Sequence, residues 1–105
     1  MVQVAAEAVE RKKEMLTHLL SLDTGNAIRT QSRPEMNSTI DLTRMFGGLA
    51  GEIKGETYPS GSQGVLQFTQ RVPVGVVAGI IPWNAPMFLF AAKVAPALSA
   101  GNTIV

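Results

Sequence analysis

The sequence predicts an α/β fold in which helices come first and a strand–helix–strand unit comes last. Three observations support this: helical periodicity in the first 50 residues, alternation at 65–72, and a short apolar run at Gly75–Ile81. The apolar run is rich in valine and isoleucine, which is typical of a parallel strand covered on both faces. An apolar helix and a second strand follow it, so a βαβ unit is predicted at 74–105.

Two helices are predicted in the N-terminal half. Val4–Leu22 carries apolar side chains on one side at helical spacing, and Gly25 after it can adopt the left-handed conformation that closes a helix. The second helix is expected over 34–50. Ser32 would be its N-cap, and Glu35, three residues later, would complete a capping box with that serine.

Segments of different composition join these elements. Asn26–Arg33 is polar and is expected to be a connector, whereas 51–64 is a break rich in glycine, serine and proline. The alternating residues 65–72 predict a strand with one side exposed or at a subunit contact. The apolar helix is expected over Met87–Leu98, with its exit at 100–102. The predicted order is therefore two helices, two strands, one helix and one strand.

Composition and charge argue against several classes of protein. The 105 residues carry a net charge of +1, and basic residues are interspersed with acidic ones, which is typical of a solvated helix surface and not of a nucleic-acid-binding site. The chain has no cysteine, so neither a disulfide framework nor a thiolate metal site is expected, and no other metal site is predicted. Val72–Ala92 is uncharged, but three prolines within it argue against a membrane span.

A Pro-Trp-Asn-Ala-Pro corner at 82–86 separates the predicted strand from the apolar helix. In a βαβ unit of this kind, the ligand site is expected at the carboxyl end of the first strand, where this corner stands. The usual glycine fingerprint of dinucleotide-binding sites is missing, because Gly75 and Gly79 lie inside the strand. Taken alone, Asn84 would be a turn residue between two prolines, and its apolar neighbours would be core residues.

Several short motifs, taken in their order along the chain, indicate a particular protein family. Pro-x-Gly-Val-Val at 73–77, Ile-x-Pro-Trp-Asn-x-Pro at 80–86 and Ala-Gly-Asn-Thr-x-Val at 100–105 resemble the NAD(P)-dependent aldehyde dehydrogenase superfamily. Upstream, the Leu-Asp-Thr-Gly helix end at 22–25 and the Gly-Glu-Thr turn at 55–57 are similar to the same family. The resemblance extends over almost the whole chain.

The resemblance implies a partial aldehyde dehydrogenase fold in three parts. These are the N-terminal helical part of the cofactor-binding domain at 1–54, an oligomerisation-type strand segment at 55–73, and the truncated start of the Rossmann-like βαβ unit at 74–105. The chain would be an N-terminal or central fragment of a cytoplasmic protein that forms a homodimer or homotetramer. Without neighbouring strands, both faces of Gly75–Ile81 are expected to be exposed.

The resemblance also implies roles for individual residues. Asn84 would be the one catalytic side chain here, donating its amide to the carbonyl oxygen of an aldehyde or thioester and stabilising the oxyanion formed on attack. Ile80, Ile81, Pro82 and Trp83 would line the cleft for NAD or NADP. The parent would oxidise a small-molecule aldehyde to a carboxylic acid through a cysteine thiohemiacetal. Because that cysteine lies outside this chain, the fragment alone is expected to be inactive.

Two alternatives stay open. The first is a non-catalytic assembly or interaction module of the same fold, whose strand at 65–72 docks onto another chain through an unpaired edge. Continuation of the reading frame beyond Val105 would favour the enzyme, and a stop codon would favour the module. The second is a membrane-associated peptide, which rests on Val72–Ala92 and is tested by partition into vesicles. The aldehyde, the choice of NAD or NADP, and hydrolysis or transfer to coenzyme A stay undetermined.

Overall fold

Four α-helices account for most of the regular structure in the computed structural model, which describes residues Met1–Val105. In chain order they are α1 (Val2–Arg11), α2 (Lys13–Thr24), α3 (Arg33–Leu49) and α4 (Pro86–Ser99). Helix α3 is central, since it packs against both α1 and α4. The two later helices agree with the predicted helices to within one residue at each end.

The predicted N-terminal helix is present but divided into α1 and α2. Lys12 lies between them with φ of −106° and ψ of 11°, and its N–H donates to the Val9 carbonyl three residues earlier at 3.1 Å. This tighter turn interrupts the α-helical hydrogen-bond ladder. The predicted helix end is confirmed: Gly25 has φ of +76°, and its N–H donates to the Ser21 carbonyl at 2.9 Å.

The predicted connector at Asn26–Arg33 joins α2 to α3 and includes a π-helical turn at Ile28–Ser32, which continues directly into α3. The predicted N-cap is wrong because of this turn. Ser32 has helical dihedral angles, and its own N–H already donates to the Ala27 carbonyl at 3.1 Å. A helix that continues through this position leaves no free N–H group for the serine side chain to cap.

The core lies where α3 meets α1 and α4, and it is small. Its buried apolar residues are Val2, Ala6, Leu20, Met36, Ile40, Ala91, Ala95 and Ala97. Only 11 of 105 residues are buried, and the radius of gyration is 18.4 Å, against about 13 Å for a compact domain of this length. The chain is therefore elongated, and large apolar surfaces face outward.

A two-stranded antiparallel sheet follows the helices. Its strands are β1 (Thr57–Tyr58) and β2 (Gln67–Phe68), and the ladder continues through the Thr69 N–H, which donates to the Glu56 carbonyl at 2.8 Å. The predicted strand at 65–72 is thus limited to two residues in β2. A strand exists only where a partner backbone accepts and donates its hydrogen bonds, and here the partner is equally short.

The predicted βαβ unit is confirmed. Strands β3 (Val76–Val77) and β4 (Thr103–Ile104) are parallel, and α4 connects them. Their pairing extends to Gly79, whose N–H donates to the Val105 carbonyl at 2.7 Å. The run is not buried in this chain. Val76 is 69% exposed and Ile80 is 86% exposed, because no further strand or helix covers this side of the run, whereas Val77 on the side of α4 is half-buried.

Two further observations bear on the function. None of the helices combines the length and the apolar character needed to cross a bilayer. No group of three or more histidine, cysteine, aspartate or glutamate side chains lies close enough together to hold a metal ion.

Candidate functional site

Asn84 lies in the corner between the end of β3 and the start of α4. Its backbone carbonyl accepts a hydrogen bond from the Asn26 side-chain amide at 3.3 Å. Its own side chain makes no hydrogen bond with the protein, and the residue is exposed. The amide N–H groups of the Asn84 side chain are therefore available to a ligand.

The prolines of the corner determine how the helix begins. Pro86 is the first residue of α4, a position that suits its fixed φ and its lack of an N–H group. Ala85 occupies the N-cap position, and its carbonyl accepts the first helical hydrogen bond, from Leu89, at 3.1 Å. Alanine has no side-chain acceptor, so it leaves the N–H groups of the first turn without a local cap.

Glu35 from α3 supplies that cap. Its Oε1 atom accepts hydrogen bonds from the N–H groups of Met87 at 2.8 Å and Phe88 at 3.2 Å. The predicted capping box between Glu35 and Ser32 is wrong, because the carboxylate bonds to another helix. Since these N–H groups are already occupied, the N-terminus of α4 does not offer the phosphate-binding site of a glycine-fingerprint fold.

Asn26 is itself held by three hydroxyl groups, two at the end of α2 and one directly before α3. Its carbonyl accepts from Ser21 Oγ at 2.6 Å and from the fully buried Ser32 Oγ at 3.3 Å. Its N–H donates to Thr24 Oγ1 at 3.2 Å. The side chain that reaches the Asn84 carbonyl thus extends from a backbone with little freedom to move.

A shallow open cavity of about 300 Å³ lies between the corner and the start of α3. Most of the residues around it are polar. They are Asn26, Gln31, Glu35, Ser38, Asn84, Ala85 and Phe88. The free amide of Asn84 therefore borders a space that a small molecule can enter.

The four residues predicted to line the cofactor cleft are contiguous at the carboxyl end of β3. Ile80 and Trp83 are 86% and 82% exposed, and Pro82 is also exposed. Ile81, at 41% exposed, instead borders an apolar cavity of about 210 Å³ beneath α4, together with Lys93. Pro82 and Trp83 therefore lie next to Asn84, whereas Ile81 borders the cavity beneath α4.

The surface at the carboxyl end of β3 is better suited to the flat ring and sugar of a dinucleotide than to its diphosphate. Exposed apolar side chains such as Ile80 and Trp83 can contact a flat ring and its sugar. The corner at 82–86 contains no basic residue, and Glu35 occupies the N–H groups of α4. The residues here therefore suit the apolar face of such a ligand and not its diphosphate.

Asn26 and Glu35 are the contributors to this site that the sequence did not indicate. Glu35 is 52 residues from Met87, and Asn26 is 58 residues from Asn84. No spacing rule connects residues so far apart. A glutamate in the first turn of a helix indicates a local cap or a favourable helix dipole, and both interpretations remain within α3.

Known proteins resemble this chain along its whole length. The model of the aldehyde dehydrogenase family matches residues 1–105. Aldehyde dehydrogenase 1 from Tanacetum cinerariifolium is 42% identical over 100 residues, which are 95% of this chain and 20% of that protein.

Solved structures agree with the sequence comparison. PnpE from Pseudomonas sp. WBC-3, also solved in complex with NAD, has a TM-score of 0.92 and 43% identity, covering 98% of this chain and 21% of its own. Glyceraldehyde-3-phosphate dehydrogenase GapN from Methanocaldococcus jannaschii, complexed with NADP, has a TM-score of 0.90 and 36% identity, covering 98% of this chain and 22% of its own.

The chain spans about a fifth of the length of the relatives it matches. The similarity includes the helices, the hairpin and the βαβ unit, since nearly all of this chain superposes on the solved structures. The partial α/β fold that the motifs predict is confirmed. The motifs, the fold and the comparisons agree, and the chain belongs to the aldehyde dehydrogenase family.

Proposed function

We propose that the protein carrying this chain oxidises an aldehyde to a carboxylic acid with NAD(P)+, and that Asn84 is its oxyanion donor. Membership of the family supports the reaction class. One observation supports the role of Asn84: its side-chain amide has no partner in the protein, although hydrogen bonds hold the backbone at its own carbonyl and at Met87. A donor kept free in a fixed corner is suited to a ligand.

The chemistry explains why an asparagine suits this place. Attack of a cysteine thiolate, supplied from outside this chain, moves the carbonyl electron pair of the aldehyde onto oxygen. The N–H group of Asn84 stabilises that negative oxygen, and because an amide does not titrate near neutral pH it does not take part in proton transfer. After loss of a hydride has converted the thiohemiacetal into a thioester, the same donor assists again when water attacks the thioester carbonyl and releases the carboxylic acid and the thiolate. NAD(P)+, when bound, provides the oxidising equivalent by accepting a hydride.

The residues before Asn84 are suited to one side of the cofactor. We propose that Ile80, Pro82 and Trp83 contact the nicotinamide ribose region through their exposed surfaces, and that Ile81 contributes through its backbone. Because the N-terminus of α4 is capped, the diphosphate would be held by residues outside this chain. NAD and NADP are equally compatible with these contacts, since neither apolar nor backbone groups here distinguish a ribose hydroxyl from a phosphate.

The test is Asn84→Ala in the complete protein that contains this chain. The expected loss of kcat is on the order of 10²- to 10³-fold, as for other oxyanion donors. Cofactor affinity should change little, because the variant removes a contact to the reacting oxygen. Asn84→Asp should lose at least as much activity, since it keeps the shape but places a negative charge beside the developing oxyanion.

Asn37→Ala is a matched control for this test. Asn37 is exposed on α3 and makes no hydrogen bond, so its removal should leave kcat within about twofold. A kcat for Asn84→Ala within threefold of the wild-type value would contradict the proposed role. In that case Asn84 would be a turn residue only.

The hairpin supports a second proposal, that 55–73 mediates assembly. Phe68 is 62% exposed and Leu66 is 72% exposed beside the unpaired edges of two very short strands. Such an edge can pair with another chain. We propose a homodimer or homotetramer in the cytoplasm, and sedimentation of the complete protein tests the assembly. Leu66→Ser should shift the distribution towards monomer, and an unchanged distribution would contradict the proposal.

A further inference from the structure

We propose that Glu35 and Asn26 are positioning residues that hold Asn84 in its catalytic orientation. This inference rests on the proposed function of Asn84. The two residues lie outside the corner motif and bond to it on either side of the Ala-Pro step. Asn26 binds the carbonyl of Asn84, and Glu35 binds the first N–H groups of α4.

Glu35 performs the function of an N-cap from a distance. Met87 and Phe88 are the second and third residues of α4, and their N–H groups are those that a capping side chain normally binds. Ala85, at the N-cap position, has no side-chain acceptor, and Pro86 has no N–H group to offer. The carboxylate of Glu35 therefore binds the first available donors of the helix, where negative charge is also favourable.

This contact fixes the distance between the start of α4 and α3. Met87 is three residues after Asn84, so any unwinding of the first turn of α4 would displace the corner. The two hydrogen bonds converge on a single oxygen, at 2.8 and 3.2 Å, and a charged acceptor makes them stronger than neutral ones. Loss of Glu35 would leave the first turn of α4 uncapped and less firmly placed.

Asn26 restrains the backbone before the Ala85-Pro86 step, at the carbonyl of Asn84. Its side chain donates to the Asn84 carbonyl, and its own backbone is held by Ser21, Thr24 and the buried Ser32. The Asn84 side chain has no hydrogen bond to the protein, so its direction depends on its backbone and rotamer. Displacement of a catalytic group by about 1 Å can cost on the order of 100-fold in rate.

The experiment uses single-turnover rates of aldehyde oxidation in the complete protein, with KM measured separately. We expect Glu35→Ala to lower the rate between about tenfold and 100-fold with KM within twofold, because the donor is misplaced but still present. Glu35→Gln keeps an acceptor oxygen and should retain activity within about threefold. Asp41→Ala is the matched control: Asp41 is an exposed carboxylate on α3 without a hydrogen bond, and its removal should have no effect.

A double-mutant cycle with Asn84→Ala separates positioning from a general structural role. If Glu35 acts through Asn84, Glu35→Ala should lower the rate less than about threefold once Asn84 is alanine. An equal loss in both backgrounds, or no loss from Glu35→Ala in the wild type, would overturn the proposal. Asn84→Ala without effect would instead overturn the proposed function.

A third variant keeps the test decisive if Glu35→Ala does not fold. Asn26→Asp has the same shape but loses the donor to the Asn84 carbonyl, and its charge repels that oxygen. It should lower the rate at least tenfold in the wild type and less than about threefold in the Asn84→Ala background. Equal losses in the two backgrounds would overturn the positioning role of Asn26 and, with it, the proposal.

Discussion

Gly55→Ala should disrupt the hairpin formed by β1 and β2. A Cβ atom at Gly55 would lie 1.8 Å from the Thr69 carbonyl oxygen and 2.8 Å from its carbon. Ordinary contact begins near 3.4 Å, so the oxygen and the new methyl group would have to separate by roughly 1.6 Å. The obstructing atoms belong to the backbone, and a side-chain rotation cannot relieve the overlap.

The magnitude follows from the hydrogen bonds beside the contact. The Thr69 N–H donates to the Glu56 carbonyl at 2.8 Å, and the Glu56 N–H donates to Thr69 Oγ1 at 2.9 Å. A shift of this size breaks both bonds. With a net value of about 0.5–1.5 kcal/mol each, Gly55→Ala should lower the free energy of unfolding by about 1–3 kcal/mol.

The assay is the urea midpoint of the complete protein, accompanied by sedimentation to follow its assembly. Gly61→Ala is the matched control, since its Cβ would meet no atom within 4 Å and its φ is not in the left-handed region. The control should change the free energy of unfolding by less than about 0.5 kcal/mol. Equal midpoints for the Gly55 and Gly61 variants would refute the reasoning, because they would show that Gly55 does not approach Thr69 closely.

Two further predictions concern the packing and charge of the helices. Met36 is fully buried, so Met36→Ala should lower the free energy of unfolding, measured in urea, by about 2–5 kcal/mol. Met45→Ala, on the half-exposed side of α3, should lower it much less, and equal effects of the two variants would contradict the assigned core. Arg33 donates to Glu14 at 2.9 Å, and this hydrogen bond and the arginine charge lower the pKa of that carboxyl group. Because the pKa of Glu14 is lower in the folded state, the pair stabilises the fold at pH values above the unfolded-state pKa. That contribution is lost as the pH falls through the folded-state pKa. The urea midpoints of wild type and Arg33→Gln should therefore converge in acid.

The helices were predictable because their hydrogen bonds are local. The periodicity of α3 and α4, the glycine that ends α2 and the proline that begins α4 are all visible in short stretches of sequence. The parallel order of β3 and β4 follows from the helix between them, since parallel strands need a crossover connection. These elements required no knowledge of what the chain packs against.

The strands were less predictable, because a strand depends on its partner. The alternation at 65–72 and the apolar run at Gly75–Ile81 indicate the right places, but each contributes only two residues to a ladder. The structure leaves Val76 and Ile80 of the run exposed, as expected when its neighbouring strands are missing. The composition of the run is typical of a strand packed on both faces, and this chain does not contain all the elements that would pack against it.

The candidate site likewise combines features that the sequence predicted with features that it did not. The sequence by itself determined the Pro-Trp-Asn-Ala-Pro corner at 82–86 and its place between a strand and a helix, because these depend on adjacent residues, whereas the prediction that Asn84 is catalytic came from the family resemblance of the motifs. Only the tertiary structure decided that the carboxylate of Glu35 caps α4 and that the amide of Asn26 binds the Asn84 carbonyl. These bonds join residues more than 50 positions apart, and their formation depends on how α3 packs against α4, which local sequence patterns do not encode.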